Sequence, residues 1–147
     1  MTNTCNLDCS YCFANGGNYG RVSAPLKMDW SICKRSIDFF LSLNLKKTGL
    51  VSICFSGGEP LINSSVLEKA LIYIKERYSG IDYPTIQLLI ETNGTLLNRD
   101  VARLLYENNC TLCVTLNTTR NSHNRKRLYR DGSPTFDIIL NNVRYIR

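Results

Sequence analysis

Three short apolar runs alternate with longer amphipathic ones along the 147-residue chain. Val51, Ile53 and Phe55 fall in an apolar run from Leu50 to Phe55 that predicts a buried strand, and further strands are expected over Ile86 to Ile90 and Thr111 to Leu116. Between them the period changes to that of a helix. Ile32, Cys33, Ile37, Phe40 and Leu41 form one stripe, behind an Asp29 cap and ending near Leu43. Val66, Leu67, Ala70, Leu71 and Ile74 form a second, capped by Asn63 or Ser64 and ending near Tyr78. Val101, Leu104 and Leu105 mark a shorter helix from Arg99 to Glu107. A last helix is expected to open at Pro134, behind a Ser133 cap, with Phe136, Ile139, Leu140, Val143 and Ile146 inward. Helices and strands alternating in this way predict an α/β fold with a parallel sheet and helices packed on it. Ligands gather at the carboxyl ends of such strands, so the segments after Phe55, Ile90 and Leu116 should share one rim.

The first dozen residues belong to none of these elements. Cys5, Cys9 and Cys12 stand in CNLDCSYC. Asn6, Asp8 and Ser10 compete for backbone hydrogen bonds, and Asn15, Gly16, Gly17 and Asn18 follow, leading to an irregular stretch closed by Pro25. Three thiols in a turn-rich loop suit an iron-sulfur cluster, with three irons held and the fourth open for a ligand. The alternatives are a zinc site, which normally takes four protein ligands, and unliganded cysteines on one helical face.

Composition narrows the setting. No apolar run approaches the roughly 20 residues of a membrane span, and no signal peptide precedes Cys5. Seven cysteines without a secretion signal then point to reduced thiols and a cytoplasmic location. The net charge is +6, but residues 120–147 carry 7 Lys and Arg against 2 Asp and Glu, and so hold five of the six charges. That local basic segment reads as a solvated face or an anion contact, and nucleic-acid binding is disfavoured.

Two motifs lie where the rim is expected. Ser56, Gly57, Gly58, Glu59 and Pro60 follow the first strand, where paired glycines let backbone come close to a ligand and Glu59 offers a carboxylate to an ammonium group. The plain alternative is a glycine-rich turn with a solvated glutamate. Thr92 and Asn93 end the second strand with short polar side chains that can reach ribose hydroxyls, or else Asn93 and Gly94 simply make the turn.

The cysteine loop with an aromatic before its last thiol, GGEP after one strand and ETNG after the next together resemble the radical S-adenosylmethionine (SAM) enzymes. TLNTTRNSHNRKR, followed by DGSPTFDIILNNV, is similar to a segment of the radical SAM/SPASM peptide and sulfatase maturases. The resemblance covers nearly the whole chain. It implies a partial (β/α) barrel, with Cys5, Cys9 and Cys12 on a [4Fe-4S] cluster whose fourth iron is chelated by S-adenosyl-L-methionine. It also implies backbone near Tyr11 beside the adenine, Gly57, Gly58 and Glu59 on the methionine amino group, Thr92 or Asn93 near the ribose, and Thr115 and Arg127 on the ribose or carboxylate. The implied activity is an oxidoreductase-type cleavage of the cosubstrate to a 5'-deoxyadenosyl radical that abstracts hydrogen from a peptide or protein, with flavodoxin or ferredoxin as reductant. Asn117, Thr118 and Asn124 depart from the family pattern. Residues 1–147 are expected to be a partial radical SAM core domain, lacking the first strand, the last strands and the SPASM domain, with exposed sheet edges.

Other readings remain at this stage: a radical SAM enzyme acting on a small molecule, a glycyl-radical activase, or an inactive iron-sulfur-binding fragment. Cys33, Cys54, Cys110 and Cys113 are expected to be structural, and His123 to be a hydrogen-bonding residue.

Overall fold

A computed structural model describes residues 1–16, 26–44, 49–78 and 85–146, with Tyr145 as backbone only. Gly17, Asn18 and Pro25 of the expected irregular stretch lie outside the described residues.

The elements run α1 (Trp30–Asn44), β1 (Leu50–Phe55), α2 (Ser64–Tyr78), β2 (Thr85–Thr92), α3 (Arg99–Glu107), β3 (Cys110–Val114), α4 (Arg120–Asn124) and α5 (Phe136–Val143), with short 3-10 turns over Pro60–Asn63 and Arg144–Ile146. The three strands form one parallel sheet in the order β1-β2-β3, with Val51 opposite Ile86 and Leu88 opposite Cys110. Each strand returns to the sheet through a helix, as parallel pairing requires. This is the expected α/β architecture, an open arc of a barrel.

One face of the sheet is covered. Val51, Phe55, Leu88, Ile90 and Cys110 pack with Cys33, Ile37 and Leu41 of α1, with Val66, Leu67, Ala70, Leu71 and Ile74 of α2, and with Leu105 of α3. The opposite face carries Ser52, Cys54, Glu91, Thr111 and Cys113, all exposed. The expectation of a fully buried first strand is therefore corrected: burial alternates along β1 because helices cover one side only. For the same reason Cys54 and Cys113 are exposed thiols, not core residues, while Cys33 and Cys110 are core as expected.

Element ends differ in informative ways. β2 runs to Thr92, past the expected Ile90, and β3 stops at Val114, short of the expected Leu116. Asp29 does cap α1, its Oδ1 accepting from Ile32 N–H at 2.8 Å. Asn63 does not cap α2: its amide donates instead to the Met1 and Met28 carbonyls. Pro134 lies before α5, where it pairs as an isolated bridge with Leu128, and Ser133 bonds Asp131 and caps nothing. The sequence pattern gave no sign of α4, which Thr119 and Ser122 start with a reciprocal capping box. No helix among the described residues is long and apolar enough to cross a membrane.

Candidate functional site

The segments after β1 and β2 do meet at one rim, and a buried carboxylate joins them. Glu59 is fully buried. Its Oε1 accepts from Leu61 N–H at 3.0 Å and from the Thr92 hydroxyl at 2.7 Å, and its Oε2 accepts from Asn93 N–H at 2.8 Å. Burial pushes the Glu59 pKa up; the three donors, and Arg127 nearby, pull it back. Both oxygens receive donors, which is the pattern of an ionised carboxylate. The solvated-glutamate alternative is thereby removed.

The cysteine loop is seated on the same rim. Gly58 N–H donates to the Thr2 carbonyl and Glu59 N–H to the Thr4 carbonyl, both at 2.8 Å. A Cβ on Gly57 would stand 2.2 Å from Thr2 O, and one on Gly58 would stand 2.4 Å from Thr4 O. The paired glycines were expected to let backbone come close to a ligand; what they admit is the backbone leading into the cysteines. Gly57 also adopts φ +152°.

The other side of the loop rests on the basic segment. Asp8 N–H donates to Leu128 O at 2.9 Å, Ser10 N–H to Lys126 O at 3.0 Å, and Leu7 bridges to Tyr129 in antiparallel fashion. The Arg130 guanidinium donates to Cys5 O at 3.1 Å and to Gly16 O at 2.6 Å. Arg127 is buried, and its Nη1 donates to the Tyr11 hydroxyl at 2.7 Å. The charge concentration near the C-terminus is therefore a platform for the cysteine loop. Sequence reasoning placed Arg127 in the site and missed Arg130, because nothing local links it to a loop more than a hundred residues away; it read Asn6 only as a turn former, because its partners Asn93 and Thr95 are 87 and 89 positions distant.

The expected cosubstrate residues fall into two groups. Thr92 and Asn93 are buried and already engaged, Thr92 with Glu59 and Asn93 with Asn6, Thr95 and Cys5. Thr115 is exposed just past β3, with its N–H donating to Thr92 O at 3.3 Å, and Tyr11 is exposed above Arg127.

His123 is fully buried under this platform. Its Nδ1 accepts from Asn117 N–H at 3.3 Å, which leaves Nε2 to donate to Thr135 Oγ1 at 2.9 Å; that hydroxyl donates to Arg127 O at 2.7 Å. Burial, and then Arg127, hold the His123 pKa below its ordinary 6.5. The sign follows from linkage: the unfolded chain takes up a proton on this ring that the folded chain refuses, so this contribution is present above pH 6.5 and is lost as pH falls below it. Urea midpoints at about pH 5.5 and 7.5 should therefore differ more in the parent than in His123→Gln. An equal gap in both would show that His123 does not titrate across unfolding.

Cys5, Cys9 and Cys12 are free thiols, half-buried, and close enough to influence one another electrostatically. Burial raises the pKa of Cys5 and Cys9; hydrogen bonds from Leu7 N–H and Asn93 oppose this at Cys5, and Arg127 opposes it at Cys9. No group of three His, Cys, Asp or Glu side chains among the described residues is arranged to hold a single metal ion. A cluster makes another demand, one thiolate for each iron. Arg127 Nε and Thr4 Oγ1 are buried without a hydrogen-bond partner, both beside this loop. An unpaired buried guanidinium donor on the residue that acts on the Cys9 thiol suits an anionic group bound there.

Comparison with known proteins gives the family. A sequence profile described as the radical SAM superfamily matches residues 1–147. The chain is 33% identical over 135 residues to the uncharacterized protein MJ0907 of Methanocaldococcus jannaschii, covering 92% of this chain and 42% of that one. It is 27% identical over 158 residues to the cysteine-type anaerobic sulfatase-maturating enzyme of Clostridium novyi, covering 99% and 38%. The chain thus spans about two fifths of the length of these relatives. Among solved structures, native anSMEcpe with bound AdoMet superposes with a TM-score of 0.81 at 23% identity, over 98% of this chain and 38% of that one. The same protein with bound AdoMet and Cp18Cys peptide gives 0.79 over 99% and 37%; at this identity the likeness carries the fold. With the profile spanning every residue and the cysteine loop, GGEP and ETNG meeting at one rim, this chain belongs to the radical SAM superfamily.

Proposed function

We propose that this chain is the catalytic core of a radical SAM enzyme that modifies a peptide or protein side chain. The observation that carries the reading is the joint seating of Cys5, Cys9 and Cys12 on the Gly57–Glu59 loop and the 126–130 platform, at the carboxyl ends of β1 and β2. Those three thiolates would hold a [4Fe-4S] cluster. With S-adenosyl-L-methionine bound, this pair supplies reductive cleavage of the sulfonium to methionine and a 5'-deoxyadenosyl radical that takes a hydrogen atom from substrate.

The chain's own residues bind and orient. Arg127 offers an unpaired Nε–H, suited to a carboxylate, and Thr115 offers an exposed hydroxyl at the same rim. Glu59 acts here as a tie between loops. Contact with the methionine amino group would fall to the backbone of exposed Gly57 and half-buried Gly58. The bare face of the sheet, with Glu91 beside Cys113 in register, borders the space a substrate would enter. A peptide or protein substrate is favoured by the names of the sulfatase-maturating relatives and by the peptide bound in the solved neighbour. A cytoplasmic setting with a flavodoxin or ferredoxin as reductant fits the free thiols.

Anaerobic reconstitution with iron and sulfide, dithionite reduction and assay of 5'-deoxyadenosine test the reading. Cluster uptake and 5'-deoxyadenosine formation are both expected, and Cys9→Ala is expected to abolish product formation. A folded chain that takes up no iron would refute the reading of the cysteine loop.

A further inference from the structure

One contact reaches a sulfur of the cysteine loop from the β2 rim. The Asn93 side-chain amide lies with Nδ2 3.9 Å from Cys5 Sγ and 2.9 Å from Asn6 Oδ1. The orientation of that amide is determined by its surroundings. Its other end, Oδ1, accepts from Thr95 N–H at 2.9 Å and from the Thr95 hydroxyl at 2.7 Å. A backbone N–H can only donate, so the oxygen must face Thr95 and the NH2 must face Asn6 and the sulfur. A flipped amide would set two donors against each other at Thr95 N–H. The backbone of Asn93 is held as well, through its N–H on Glu59 Oε2 at 2.8 Å. The side chain is 6% exposed, so neither end can turn to water.

Cys5 differs from its two companions. Leu7 N–H donates to the same sulfur at 3.5 Å, whereas among the described residues no hydrogen bond reaches the sulfur of Cys9 or Cys12. The donors therefore converge on one of the three thiolates. Hydrogen bonds to cluster sulfurs are among the determinants of reduction potential, because a donor stabilises the extra negative charge of the reduced state.

We propose that Asn93 is a positioning and tuning residue whose amide N–H donates to the Cys5 thiolate and raises the reduction potential of the cluster. The inference rests on the cluster reading above and assigns the ETNG asparagine to the sulfur, not to the ribose. Of the two Cys5 donors, it is the one a substitution can remove, since the Leu7 donor is backbone.

The test is potentiometric titration of the reconstituted full chain, followed by the EPR signal of the reduced cluster, with iron and sulfide content measured first. Asn93→Asp keeps an oxygen for Thr95 and turns an acceptor toward the sulfur; Asn93→Ser keeps a short acceptor that cannot reach Cys5. Both are expected to shift the one-electron equilibrium about tenfold toward the oxidised cluster, equivalent to about 59 mV, with Asn93→Asp the larger. A fully loaded variant whose one-electron equilibrium stays within twofold of the parent's overturns the proposal. A measurement on the parent alone serves if the variants load poorly: asparagine labelled with 15N at its side-chain amide should give a 15N coupling in pulsed EPR of the reduced cluster. Absence of that coupling also overturns it. A parent chain that binds no iron refutes the cluster reading itself, which keeps the two failures apart.

Discussion

Replacing Glu59 with alanine is expected to remove about 3–5 kcal/mol of stability, because one deletion orphans three buried donors. Leu61 N–H, the Thr92 hydroxyl and Asn93 N–H all end on this carboxylate, and none has water nearby to replace it, since Glu59 itself is fully buried. Glu59→Gln is a sharper probe. Its amide nitrogen must face either Asn93 N–H or the pair at Oε1, so one donor meets another whichever way it turns. A loss of about 1–3 kcal/mol is expected, the cost of one unsatisfied buried group. Both values are to be read from urea unfolding without iron or cosubstrate. If Glu59 served only to hold an ammonium group of the cosubstrate, the ligand-free chain would be unchanged by either substitution; unaltered midpoints would therefore reject the tie described here.

Gly58→Ala is expected to displace the cysteine loop, at a cost of about 2–3 kcal/mol. The added Cβ would fall 2.4, 2.6 and 2.8 Å from Thr4 O, Thr4 C and Asn3 O, all backbone atoms that cannot rotate away. Gly132 makes a suitable control, as it has φ +84° but nothing within 4 Å of an added Cβ. Gly132→Ala should carry only the cost of left-handed backbone, about 1 kcal/mol. The two variants separate loop displacement from conformational strain when iron uptake is compared: Gly132→Ala should load as the parent does, and Gly58→Ala poorly. Equal loading of both would show that the close approach at Thr4 has no bearing on the site.

Much of the fold was legible because it is written in local pattern. The stripe from Val66 to Ile74 became α2 with those same residues inward, and α1 formed as expected with Cys33, Ile37 and Leu41 inward, although Ile32 and Phe40 of its expected stripe are exposed; Asp29 caps where it was expected to. The run at Leu50–Phe55 became β1 with its ends unchanged. Where the reading failed, the deciding forces were not local. An apolar run cannot say whether a strand is covered on one side or two, so the exposure of Cys54 and Cys113 was missed. Pro134 fits the first turn of a helix by local pattern, yet it pairs with Leu128 as an isolated bridge ahead of α5.

The site divides along the same line. Spacing and turn-forming neighbours marked Cys5, Cys9 and Cys12, and position after a strand marked Glu59, Thr92 and Asn93. Their partners were not visible: Asn93 meets Cys5 from 88 positions away, Tyr11 meets Arg127 across 116, and Arg130 meets Cys5 across 125. The sequence by itself determined the three strands and the helices α1 to α3, which residues carry thiols and carboxylates, and to which family the motifs point, because these depend on short-range periodicity and on the order of short motifs. Only the tertiary structure decided that the paired glycines accept backbone, that the basic segment carries the cysteine loop, and that Glu59 and Asn93 spend their hydrogen bonds inside the protein. Those outcomes depend on which distant groups the folded sheet brings within 3 to 4 Å, a distance over which a hydrogen bond or a steric clash acts and a sequence pattern is silent.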